Sequence, residues 1–137
     1  MPNRWFMAAD PEDYGMEELL RDRVAPWDGV HGTAAQANMR KMKAGDPVLI
    51  YEGGKRKAVA GAAKIAHGPY PDPTDPAGKR VLVDVGSPRR FKRPPALAEL
   101  RGTKGLEEMK FLKMARVSVS AVTDAEWAII TKMGDGK

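Results

Sequence analysis

The chain has 137 residues, 42% of them hydrophobic and 30% charged, with no cysteine and a net charge of +5. This is the make-up of one compact domain that builds its core without disulfides or thiolate metal sites. The two histidines, His31 and His67, are too few and too far apart in sequence for a histidine-rich metal centre.

Arg4 to Ala9 (RWFMAA) is apolar and aromatic, ends at Asp10-Pro11, and reads as a short buried strand. Met16 to Arg21 (MEELLR) has helical spacing, with acids early and a base late as the helix dipole prefers. Pro26 closes that segment, and Trp27-Asp28-Gly29-Val30-His31-Gly32 is a loop that feeds a helix capped by Thr33 and running to Met42. Such a helix start offers free backbone N–H groups to an anion or a polar base edge.

Val48 to Tyr51 and Ala58 to Ile65, joined across Gly53 to Lys57, form an expected antiparallel hairpin. Four prolines between Gly68 and Gly78 predict an extended loop, and Val81 to Val85 predicts the next strand. After the basic stretch around Phe91, a short helix is expected at Ala96 to Leu100 and a further apolar-periodic segment at Leu106 to Met114. Arg116 to Val122 alternates valine with serine, the pattern of a strand with one wet face. Thr123 and Glu126 have capping-box spacing before a last helix that ends near Gly134. The class is α+β: a small curled sheet or pseudo-barrel of five to six mixed strands with short flanking helices, in a single domain over residues 1–137.

No apolar run approaches the roughly 18 residues that cross a bilayer. The N-terminal MPNRWFMAAD lacks the apolar core of a secretory signal, so a cytoplasmic address and no membrane partner are expected.

Charge is unevenly spread. Residues 79–104 hold eight bases (Lys79, Arg80, Arg89, Arg90, Lys92, Arg93, Arg101, Lys104) against two acids, whereas Asp10 to Asp28 holds seven acids against Arg21 and Arg23. The polarity suits a polyanion approached from one side, although a solvated basic loop gives the same count.

Enzyme readings lack equipment. None of the three serines sits in a nucleophile turn, Gly53-Gly54-Lys55 lacks the spacing and hydroxyl of a phosphate loop, and His31 has no nucleophile beside it. Trp5, Trp27 and Tyr51 lie on or beside strand ends, where flat rings stack on bases for about 1 to 3 kcal/mol each. Core packing is the competing account for all three, and the stronger one for Trp5. Trp27 stands apart because it follows a proline in a glycine-bearing loop.

Several segments together resemble the EVE domain, a PUA-like family that includes thymocyte nuclear protein and is related to YTH domains. They are Trp5 to Pro11, Trp27-Asp28-Gly29-Val30, Met42 to Asp46, Tyr70 to Thr74, Val83-Asp84-Val85, Phe91 to Pro94 with Leu97 to Leu100, and Arg116 to Val119 with Val122-Thr123 and Glu126-Trp127. The resemblance implies a pseudo-barrel with an aromatic pocket for a modified base extruded from DNA or RNA: methylated or hydroxymethylated cytosine, with methyladenine as a further target. It implies no catalysis, and no metal or cofactor is expected. By position, the base pocket comprises Trp27, Val30, His31, Gly32, Thr33, Tyr51, Asp10 and Trp5. The backbone contacts are Arg116 together with Arg89, Arg90, Lys92 and Arg93 of the basic stretch.

The sequence departs from the family at the pocket. The usual Arg-Asn-Tyr-Gln-Ala-Arg-Asn run is His31 to Ala37 here, the Lys-Ser of the opening motif is Ala8-Ala9, and the His-Ser after the strand tyrosine is Glu52-Gly53. A pocket stripped in this way is expected to be larger and more apolar, suited to a different base or to none. It also leaves open a small-molecule or nucleotide-binding protein that no longer binds nucleic acid.

Overall fold

The computed structural model describes residues 3–28, 30, 32–113 and 118–136. Six strands form one sheet: β1 (Arg4–Ala9), β2 (Val24–Pro26), β3 (Pro47–Glu52), β4 (Ala58–Pro71), β5 (Val81–Arg90) and β6 (Val119–Val122). Their order is β2-β5-β4-β3-β1-β6, with β1 parallel to β3 and every other pair antiparallel. Five short helices accompany them: α1 (Met16–Asp22), α2 (Thr33–Lys41), α3 (Leu97–Arg101), α4 (Lys110–Lys113) and α5 (Asp124–Gly134).

Alternation along β1 shows why both faces of the sheet are covered. Trp5 and Met7 point into one core with Met16, Leu19, Trp27, Met39, Ile50 and Val85. Phe6 points into a second core with Leu49, Tyr51, Phe91, Leu100 and Ile130. Register shifts along β4 at Ala62/Lys64, Ile65/His67 and His67/Tyr70 mark irregularities that bend and twist a strand, and they let Pro69 and Pro71 be accommodated. The sheet curls without closing, and α2 packs against both β5 and β6.

The expected hairpin pairs as predicted, with Val48 opposite Ala63 and Leu49 opposite Ala62. The Thr123 capping box is formed: Glu126 N donates to Thr123 Oγ1 at 3.1 Å and Thr123 N donates to Glu126 Oε1 at 3.0 Å. Five expectations change. Val24 to Pro26 is a strand, because β5 offers it a free edge. The strand from Ala58 continues to Pro71 through part of the proline-rich segment, and the one from Val81 continues to Arg90. Of Leu106 to Met114, only Lys110–Lys113 is helical, and Met114 lies outside the described residues. Thr33 is the first helical residue rather than the cap, which is Gly32, and no side chain caps that end. None of the helices among the described residues is long and apolar enough to cross a membrane.

Candidate functional site

A cavity of about 620 Å³ opens where the curled sheet fails to close, within the range that holds a nucleoside-sized ligand. One side comes from the end of β1, Ala8 and Ala9, with Ser118 beside it; Ala8 N donates to the Ser118 carbonyl at 2.8 Å. The other side comes from the opposite edge of the sheet, Val24, Ala25 and Pro26 of β2, followed by Trp27, Asp28 and Val30. Asp10, Asp13 and Tyr14 of the turn before α1, with Asp22 at its end, complete the lining. The methyl side chains of Ala8 and Ala9 leave space that longer side chains would fill.

Trp27 is a fixed wall. It is 6% exposed, its backbone N–H donates to the Val83 carbonyl at 2.8 Å, and Tyr14 meets its ring edge-on at 89° with centroids 6.2 Å apart. At the rim, Val24 is the large apolar side chain left exposed among the described residues.

Four carboxylates, Asp10, Asp13, Asp22 and Asp28, line the cavity, and none of its lining residues among the described ones is a lysine or arginine. The side chains of Asp13 and Asp28 have no hydrogen-bond or ion-pair partner among the described residues, so their oxygens remain free acceptors. Asp10 Oδ1 accepts from Glu12 N at 3.0 Å and shapes the turn. Asp22 accepts from Arg21 Nε at 2.8 Å and from the Tyr14 hydroxyl at 2.8 Å, and these bonds, Arg21's first, lower its pKa to about 2. Burial, and then the same Asp22 bond, push the Tyr14 phenol up to about 12. At neutral pH the site therefore presents a neutral Tyr14 phenol beside an ionised Asp22. No group of three histidine, cysteine or carboxylate side chains placed to hold a metal ion occurs among the described residues.

The structure brings Trp27, Val30 and Asp10 together at the cavity. Gly32 and Thr33 start α2 and do not line it. Two aromatic candidates lie away from it. Trp5 is buried, with Nε1 donating to Asp46 Oδ2 at 3.0 Å. Tyr51 belongs to the other core, its ring 5.6 Å from Phe6 and 4.8 Å from Phe111. The period of two along a strand places Tyr51 on the face opposite Ile50, whose core holds Trp27. His31 and Arg116 lie outside the described residues.

Arg89, Arg90, Lys92 and Arg93 are exposed at the end of β5. Two of them are engaged: Arg89 with Asp135 at 2.8 Å and over the Phe91 ring at 5.3 Å, and Arg93 with Glu99 at 3.3 Å. Tyr14, Asp13, Asp22, Asp28, Val24 and Ser118 also line the cavity, and no sequence motif of their own marks them as site residues. The run of acids from Asp10 to Asp28 was the visible signal, but only the fold shows that four of them face one space.

A mixed, curled and open six-stranded sheet with an aromatic cavity at its gap is a PUA-like architecture. Residues 3–133 match the EVE domain, and the chain belongs to that family. A protein of Leishmania major is 30% identical, with 99% of this chain and 96% of that one covered and a TM-score of 0.91. One from Rhodopseudomonas palustris is 32% identical over 96% and 92% of the two chains, with a TM-score of 0.90. Human THYN1, solved in complex with 5-methylcytosine-containing DNA, is 25% identical over 98% and 99%, with a TM-score of 0.88. No curated protein sequence matches the chain.

Proposed function

We propose that this protein is a non-catalytic nucleic-acid-binding domain that takes one modified base, methylated or hydroxymethylated cytosine or methyladenine, out of DNA or RNA and into the cavity beside Trp27. The observation that carries this reading is the pairing of a fixed aromatic wall with free carboxylates in a space of about 620 Å³. Cytosine and adenine carry an exocyclic amino group that donates to a carboxylate, whereas thymine and uracil present a carbonyl at the equivalent position and are repelled. The human relative solved with methylcytosine DNA supports the same ligand class. Extruding a base costs a few kcal/mol, which stacking and base-edge hydrogen bonds must exceed. Contacts from Arg89, Arg90, Lys92, Arg93 and Arg116 to phosphates supply salt-dependent affinity.

Fluorescence anisotropy with matched oligonucleotides, unmodified or carrying each modification, at two salt concentrations tests the reading. Wild type is expected to prefer one modified base. Trp27→Phe, which keeps the wall and the core filled, retains the preference, and Trp27→Leu loses about tenfold or more of it at an unchanged salt slope. Binding without any base preference, or a preference that survives in Trp27→Leu, overturns the assignment. Binding of a free nucleoside with no affinity for any oligonucleotide would favour the small-ligand alternative.

A further inference from the structure

We infer that the turn between β3 and β4, residues 53–57, is a phosphate-binding site that holds the backbone of the nucleic acid next to the base in the cavity. The inference rests on the base-binding reading above and assigns a role to residues that reading does not use.

Strand pairing places this turn at the cavity mouth. Ala9 lies opposite Glu52 in the parallel β1·β3 pair, so the two strands end together, and Gly53 N donates to the Ala9 carbonyl at 2.9 Å. A second, smaller cavity of about 180 Å³ is lined by Asp10, Pro11, Glu12, Gly54, Lys55 and Arg56. Asp10 lines both spaces, so the two adjoin at that residue.

Charge then divides the work between them. Among the described residues the large cavity is lined by four carboxylates and by no lysine or arginine, which opposes a phosphate there, whereas the turn carries Lys55, Arg56 and Lys57, all exposed. Lys55 and Lys57 have no side-chain hydrogen bond or ion pair among the described residues and are free to meet an anion. Arg56 is held: its Nη1 donates to Glu52 Oε1 at 3.0 Å, and the other Glu52 oxygen accepts from Met16 N at 3.0 Å. Buried Glu52 thus ties the basic turn to the start of α1, the helix whose last residue, Asp22, lines the cavity. A nucleotide entering this geometry goes in base first, and its phosphate is turned aside onto the lysines.

The same turn leads on to the basic end of β5. Leu97 N donates to the Lys57 carbonyl at 2.7 Å, Val59 N to the Pro95 carbonyl at 2.8 Å, and Ala58 bridges Ala96. Gly61 pairs with Arg90, so β5 ends at this end of the sheet. Arg90 and Lys92, the exposed bases of that stretch without a partner among the described residues, continue the track away from the cavity.

The test is a coupling experiment on the full chain with a short oligonucleotide carrying the preferred modified base. The phosphate flanking that base is either native or replaced by a neutral methylphosphonate. Neutralising Lys55 and Lys57 together (Lys55→Gln with Lys57→Gln) is expected to weaken binding by about tenfold near 0.1 M salt. It should also reduce the slope of log affinity against log salt by about 2, and leave the ratio of modified to unmodified base unchanged. The methylphosphonate should weaken wild type several-fold and the double variant much less, because the variant already lacks the contact to that phosphate. Equal losses in the two proteins, or an unchanged salt slope in the variant, overturn the phosphate site. Failure of base reading itself looks different: wild type would show no modified-base preference at any salt, whatever the lysine variant does.

Discussion

The side-chain amide of Gln36 holds Val81 by both of its backbone groups: Val81 N donates to Oε1 at 2.9 Å, and Nε2 donates to the Val81 carbonyl at 3.2 Å. Gln36 therefore does for the start of β5 what a neighbouring strand would do, on the stretch that the three-residue β2 is too short to cover. Asn38, two residues on, donates to the Val119 carbonyl of β6 at 3.0 Å, so α2 fastens both sides of the opening with amides. Gln36 Nε2 also reaches the Val30 carbonyl at 2.7 Å, which fixes a residue lining the cavity.

Gln36→Ala leaves three backbone groups without this partner in a buried setting. At about 1 kcal/mol or more for each group that water does not reach, the expected loss is roughly 2 to 3 kcal/mol. Urea unfolding reads the loss, and hydrogen exchange localises it, with Val81 N–H exchanging much faster than its neighbours. Unchanged protection at Val81 would show that the bond contributes nothing.

Gly61 is required by its contacts rather than by its backbone angles. A Cβ there would land on the Arg89 carbonyl oxygen of the adjacent strand and come within 2.7 Å of Met16 Cε. Gly61→Ala gains about 0.4 to 1 kcal/mol from a stiffer unfolded chain. It loses about 1 to 3 kcal/mol by forcing β4 and β5 apart, so the net effect is destabilising. The urea midpoint should fall. A rise would mean that the sheet yields at this position without cost.

All three tyrosines resist ionisation. Burial, and then a bond to Asp22, raise Tyr14 to about 12; burial, and then a bond to Asp84, raise Tyr70 to about 12; burial raises Tyr51. A folded-state pKa above the unfolded value of 10.0 gives stability that is present in full below pH 10 and is lost as pH rises toward 12. At pH 10 Tyr14 and Tyr70 should therefore contribute almost no tyrosinate absorbance in the native protein, and their signal should appear together with loss of structure. A tyrosine titrating near pH 10 while the fold persists would contradict this.

How much of this was legible in the sequence depended on whether the signal was local. Arg4 to Ala9, Val48 to Tyr51 and the Thr123 capping box depend on neighbours a few residues away, and the structure has them where the pattern put them. Val24 to Pro26 carries no strand signal of its own and becomes a strand because β5 is there to pair with it. Trp27 was visible as an aromatic with no obvious packing duty, while Tyr51 looked equivalent to it. Which face of the sheet a ring occupies depends on register, and register is fixed by pairing across the chain. The acids from Asp10 to Asp28 could be counted, but their convergence with Ser118 on one space is a product of the curl.

The acidic rim makes a prediction about which bases are admitted. Asp13 and Asp28 are exposed and have no partner among the described residues, so replacing both with asparagine removes charge without opening the core. Two effects should then move in opposite directions. General affinity for DNA should rise a few-fold, because two anions no longer oppose the phosphates. Discrimination between 5-methylcytosine and thymine should fall about tenfold, because an asparagine amide can rotate to offer a donor to the thymine carbonyl as readily as an acceptor to the cytosine amino group. Both bases carry the same 5-methyl group, so the comparison isolates the amino edge from the methyl contact. Anisotropy titrations of wild type and Asp13→Asn/Asp28→Asn against the two oligonucleotides measure both quantities at once. A ratio that does not change would move amino-group recognition to a backbone carbonyl and leave the carboxylates as a barrier to phosphate alone.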